Sequence, residues 1–148
     1  MVPELDINFK EFLSLLELHG VEYLLIGGYA VNYYGYHRAT NDLDIFVSGS
    51  AENAARVANA LHEFGFSETT PEMLAIPSSM VRMGIAPVKL EVTNFIDGVT
   101  FAECYAQRKR VSLDGIEINL ISLTDLRRNK RASGRSKDLA RLENLPEV

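Results

Sequence analysis

Ile26-Gly27-Gly28 and, after thirteen intervening residues, Asp42-Leu43-Asp44-Ile45 decide how this chain is read. The glycines close a short apolar run, Val21-Glu22-Tyr23-Leu24-Leu25-Ile26, of the kind that forms a buried strand. The aspartates alternate with Leu43, Ile45 and Val47 in a second such run. Side chains of a strand point alternately to its two faces, so the apolar residues would face the core while Asp42 and Asp44 share the opposite side. Gly-Gly permits a tight backbone turn beside them.

Working outward, the pattern alternates helices and strands. Residues 8–19 place Phe9, Phe12, Leu13 and Leu16 at helical spacing, and Gly20 ends that helix. A short helix is expected over 29–36. Residues 50–64 form an amphipathic helix with Ala54, Val57, Ala58, Leu61 and Phe64 on one side, stopped by Gly65. Pro71 and Pro77 predict irregular structure over 66–79. Residues 80–83 and 88–93 read as neighbouring strands joined near Gly84 and Pro87. Asp114-Gly115 between 110–113 and 116–121 is a hairpin signal. Ser122 caps a helix that Gly134 ends, and a last helix runs over 136–145 before Pro146. Mixed strands and helices with a hairpin exclude a purely parallel sheet, so the expected class is α/β (α+β), a central mixed β-sheet flanked by helices.

The 148 residues fit one domain over 1–148. Cys104 is the only cysteine and falls on an apolar helix-like stretch, so no internal disulfide forms and a buried thiol in a reducing compartment is expected. No apolar run reaches the roughly 18 residues that span a bilayer. The acidic start, Met1-Val-Pro-Glu-Leu-Asp, lacks the marks of a signal peptide. These features predict a cytoplasmic protein with no membrane partner. The net charge is −5, yet residues 127–141 hold seven of the fifteen Lys and Arg and one acid, Asp138, which suggests a local anion partner.

Two carboxylates side by side repel one another, and a hard cation relieves them. Mg²⁺ or Mn²⁺ fits, since both take oxygen ligands and leave positions for water and phosphate. In Val88-Lys89-Leu90-Glu91-Val92-Thr93 the alternation aims Glu91 away from the apolar face. If this strand lies beside the aspartate strand, Glu91 is a third ligand, or the base that deprotonates an attacking group. Such a cluster beside a Gly-Gly turn is what a nucleoside triphosphate, such as ATP, and its metal require.

These residues resemble the signature of the nucleotidyltransferase superfamily related to DNA polymerase β: an apolar residue, Gly-Gly or Gly-Ser, a gap, then Asp-apolar-Asp/Glu-apolar, with a third acid on a later strand. Gly35, Arg38 and Thr40, and the C-terminal run Lys130, Gly134-Arg135, Lys137-Asp138, are similar to a small bacterial branch. That branch holds abortive-infection-type toxins and the lincosamide and aminoglycoside nucleotidyltransferases. The resemblance covers about residues 20–145 and implies a nucleotidyltransferase fold. It implies Gly27 and Gly28 against the triphosphate, and Asp42, Asp44 and Glu91 at the metal and in catalysis. Glu91 stands where that superfamily more often has Asp.

Arg38 and Thr40 precede the aspartates and are candidate phosphate contacts. Lys130 and Lys137 would neutralise the triphosphate if the last two helices fold back over the sheet, with Asp138 orienting a lysine. Three functions are compatible with these residues. The first is a metal-dependent transferase moving NMP from an NTP to the hydroxyl of an RNA such as tRNA, a protein or a small molecule. The second is an idle enzyme acting through a partner, such as one component of a toxin–antitoxin pair. The third is an RNA-binding module built on residues 127–141, a stretch without aromatics for bases to stack on.

Overall fold

Strand β1 (Tyr23–Ile26) and strand β2 (Asp42–Val47) pair antiparallel, with Leu25 opposite Ile45 and Ile26 opposite Asp44. This pair forms the middle of the sheet. The computed structural model describes residues 5–36, 40–85 and 87–147. Among these, β3 (Met80–Ile85), β4 (Val88–Thr93), β5 (Lys109–Leu113) and β6 (Ile116–Leu120) complete one six-stranded sheet in the order β3-β4-β2-β1-β6-β5. β2 runs parallel to β4 and β1 parallel to β6, while the β3–β4 and β5–β6 hairpins are antiparallel. The sheet is mixed, as the alternation of elements requires.

Residues directly opposite one another across paired strands share a face. One face therefore carries Leu25, Ile45 and Val92, all buried in one core with Phe9, Phe12, Leu13 and Leu16 of helix α1 (Ile7–Leu18) and Ala54, Val57 and Leu61 of α3 (Ala51–Phe64). The apolar spacing that identifies these two helices is the spacing of their buried residues. Asp6 caps α1 by accepting from the Asn8 amide at 2.8 Å, and Ser50 caps α3 by accepting from Asn53 at 3.2 Å. The other face carries Ile26, Asp44, Glu91 and Arg82 in one row. In the next row Phe46 packs edge-on against Phe101 of α5 (Phe101–Ala106), ring centres 5.1 Å apart.

Two expectations are corrected. The short helix α2 is Gly27–Tyr33, not 29–36, so the two glycines form its opening residues instead of a turn ahead of it. The segment 66–79 is not wholly irregular: it contains α4 (Pro71–Ala75). Pro71 starts that helix because the first helical position needs no amide hydrogen bond, and the Thr70 hydroxyl before it accepts from the Met73 amide at 3.3 Å. The β5–β6 turn is as expected, with Asp114 and Gly115 at φ 51° and 83°, the signs of a type I′ hairpin. Ser122 caps α6 (Leu123–Ser133), which is followed by α7 (Ser136–Asn144). Among the described residues, no helix is long and apolar enough to cross a membrane.

Candidate active site

The sheet register joins the acids that the sequence separates. Asp44 lies directly opposite Glu91 on the adjacent parallel strand, and Asp42 opposite Lys89. Asp44 and Glu91 are in hydrogen-bond contact. Burial, that contact and the nearby charges of Glu91 and Asp42 push the Asp44 carboxyl up to about 7, against a smaller opposing pull from Lys130. The rise shows that the carboxylates are short of nearby positive charge. Asp42, Asp44 and Glu91 offer hard oxygen donors, which fits Mg²⁺ or Mn²⁺. As they stand, however, no three acids, histidines or cysteines among the described residues form a ready metal-holding group. Glu91 instead accepts a hydrogen bond from Arg82 Nε at 2.9 Å.

The two glycines make room for this cluster. Gly27 has φ 69°, and a Cβ on it would land on the Asp44 carboxylate. A Cβ on Gly28 would lie 2.5 Å from Thr40 Oγ1. The Gly-Gly pair therefore seats Asp44 and Thr40 as well as opening the backbone. Thr40 in turn donates to the Asp42 carbonyl at 3.4 Å, tying the loop to the start of β2. Gly27→Ala is expected to cost about 1–2 kcal/mol from its left-handed backbone alone, with a further loss from the displaced Asp44. Thermal melting of the variant beside Gly20→Ala, whose added Cβ meets nothing within 4 Å, separates the two contributions.

The opposite wall comes from the C-terminal helices. Asn129 on α6 donates to the Asp97 carbonyl at 3.0 Å, which holds α6 against the segment after β4. Lys130, one residue on, is buried and pairs with the buried Asp138 of α7 at 3.4 Å. Burial lowers the Lys130 pKa, partly offset by Asp138 and also by Asp44. Burial alone would raise Asp138. The Ser133 hydroxyl, donating at 2.6 Å, and the charges of Lys130 and Arg135 outweigh it and hold Asp138 below the ordinary carboxylate range. Arg135 Nε lies 3.1 Å from Asp138 and Arg141 3.9 Å. Asp138 thus gathers Lys130, Arg135 and Arg141 at one end of the cleft.

Gly27, Gly28, Thr40, Asp42, Asp44, Glu91, Lys130 and Lys137 all line one cleft of about 550 Å³. Arg38 lies outside the described residues. Arg82 and Lys89 also line the cleft and carry no signature of their own in the sequence. Only the alternation of Arg82 with Val81 and Met83 on a strand paired to the Glu91 strand could have pointed to it.

A mixed sheet in this strand order, with a Gly-Gly opening beside two alternating aspartates, is a nucleotidyltransferase fold. It resembles the crystal structure of a Thermotoga maritima protein proposed to be a nucleotidyltransferase, with a TM-score of 0.63 over 92% of this chain and 88% of that one at 20% identity. The chain belongs to the family described as "Nucleotidyl transferase of unknown function (DUF2204)", whose model matches residues 7–148. No curated protein matches it significantly.

Proposed function

We propose that the chain transfers a nucleotidyl group from a nucleoside triphosphate to an acceptor hydroxyl, with Mg²⁺ or Mn²⁺ held by Asp42 and Asp44. The observation that carries this reading is the pairing of a carboxylate cluster short of positive charge with a basic wall across the same cleft. The cleft volume suits a ligand of nucleotide size. When bound, the metal supplies positive charge to the phosphates. Lys130, Lys137 and Arg135 neutralise the rest of the triphosphate, and Thr40 offers a hydroxyl near Gly28. The acceptor oxygen attacks the α-phosphorus as the bond to the bridging oxygen breaks. Pyrophosphate leaves with that electron pair, and the hydroxyl proton passes to a carboxylate of the cluster. Most of the rate enhancement is positioning and charge neutralisation.

Calorimetric titration of a non-hydrolysable NTP with and without Mg²⁺ tests this. Metal-dependent binding that disappears in Asp42→Asn/Asp44→Asn is the expected result. No binding, or binding indifferent to those substitutions, would sink the proposal. Incubation with labelled NTPs and total tRNA, protein or small hydroxylated compounds then identifies the acceptor.

A second reading keeps the fold without the chemistry, the chain acting through a partner such as one component of a toxin–antitoxin pair. The Arg82–Glu91 ion pair favours it, since it engages the third acid. The RNA-binding reading loses ground. Of its seven basic residues, Lys130 and Arg141 are buried around Asp138, and Arg127 donates to the carbonyls of Leu142, Leu145 and Pro146.

A further inference from the structure

Glu91 lies between two neighbours of opposite charge. The register sets Arg82, Glu91 and Asp44 side by side on three adjacent strands and on one face. Adjacent strands lie about 4.8 Å apart, so a glutamate side chain reaches either neighbour. On one side Glu91 touches the Asp44 carboxyl, and on the other it accepts from Arg82 Nε at 2.9 Å. Arg82 is 74% exposed and lines the cleft, whereas Glu91 is 24% exposed. An ion pair with one partner so open to water is weakly held, and its rupture costs little.

We propose that Arg82 is a latch on Glu91, and that Glu91 joins Asp42 and Asp44 as a metal ligand only when this ion pair opens. In the latched state Arg82 supplies part of the positive charge that the three acids lack. A divalent ion held by Asp42 and Asp44 would supply that charge instead, so Glu91 could leave the Arg82 guanidinium and serve as a further oxygen donor. The glutamate is suited to this exchange: its longer stem serves two positions, where an aspartate would be confined to one. Arg82 is therefore a positioning residue, acting on the metal through Glu91. The same ion pair that would mark the site as idle becomes its resting state.

This inference rests on the metal reading above, and a double-mutant cycle on Mn²⁺ affinity separates the two. Mn²⁺ binding is measured by electron paramagnetic resonance on the full chain as parent, Arg82→Gln, Glu91→Gln and Arg82→Gln/Glu91→Gln. Opening the latch is expected to tighten Mn²⁺ binding about twofold to fivefold in Arg82→Gln, the range set by an exposed ion pair. The gain is expected to vanish in the Glu91→Gln background, and Arg82→Lys is expected to restore most of the parent affinity. An equal gain with and without Glu91 would mean that Arg82 acts only by long-range charge, and would overturn the latch while leaving the metal site intact. Mn²⁺ binding to the parent with no change in Arg82→Gln overturns it equally. Absence of Mn²⁺ binding in all four proteins removes both readings. Thermal melting of each variant confirms that the differences come from folded protein.

Discussion

Asp44→Asn is expected to make the metal-free protein more stable than the parent at pH 8, and to abolish metal-dependent nucleotide binding. The Asp44 carboxyl moves from an ordinary 3.8 to about 7 in the folded chain, through burial and the neighbouring carboxylates. Between those values the folded chain keeps a proton that the unfolded chain has released. Stability therefore falls as pH rises through this window, and the loss persists above pH 7. A tenfold change in proton affinity corresponds to about 1.4 kcal/mol. Solvent reaches this partly exposed carboxyl and softens the effect, so the expected cost at pH 8 is about 1–3 kcal/mol. The amide of the Asp44→Asn variant carries no charge and escapes that cost. Urea unfolding at pH 5 and pH 8 with a chelator present checks the prediction. The parent should weaken between the two pH values and the variant should not. Adding Mg²⁺ should restore the parent alone, since a ligand bound only to the folded state stabilises it by mass action. A parent whose stability is flat from pH 5 to 8 would contradict the electrostatic account of the cluster.

The carboxylate cluster is thus a strain that the fold carries. β2 lies mid-sheet, with its apolar side fully buried at Leu43 and Ile45. The rigidity that such burial gives the strand is what fixes Asp42 and Asp44 beside Glu91 despite their repulsion. Gly27 contributes in the same way, with a backbone conformation costly to other residues and the space that the Asp44 carboxylate fills.

The same division between local pattern and long-range contact decides what is legible in the sequence. The two aspartates are readable because strand alternation is local and the flanking residues are strongly apolar. Glu91 is readable by the same alternation once its strand is placed beside β2. Arg82 is less so, because the sequence suggests that its strand neighbours the Glu91 strand but leaves open the register that sets the two residues opposite one another. The α4 helix escapes a reading of Pro71 as a breaker, because Thr70-Pro71 together make a helix start. The basic run 127–141 is legible as charge but not as burial. Lys130 and Arg141 enter the protein only because α7 folds back on α6 and brings Asp138 between them. Sequence counting places all seven cations on one stretch, while the fold sends them to the cleft, to the C-terminal carbonyls and to solvent.

Asp138→Asn is expected to destabilise the protein by about 3–5 kcal/mol, the range for removing one partner of a buried charge pair. Lys130→Met is expected to cost less than half of that. The asymmetry follows from the contacts. Asp138 is held by the Ser133 hydroxyl at 2.6 Å, by Arg135 at 3.1 Å and by Lys130 at 3.4 Å, with Arg141 at 3.9 Å, so losing Lys130 leaves it well supported. Losing the Asp138 charge instead leaves Lys130 buried without its counter-ion and weakens the hold on Arg141 and α7. The two variants differ again at the acids. Lys130 is the positive charge that restrains the rise of the Asp44 carboxyl, so Lys130→Met should push the midpoint of the pH-dependent stability loss above 7. Both variants should bind nucleotide more weakly, but Lys130→Met should do so with the smaller drop in melting temperature. Urea unfolding and NTP titration on both proteins, repeated across pH 5 to 9, test the scheme. Equal destabilisation by the two substitutions would overturn the asymmetry around Asp138, and a Lys130→Met profile superimposable on the parent's would show that Lys130 and Asp44 do not share an electrostatic site.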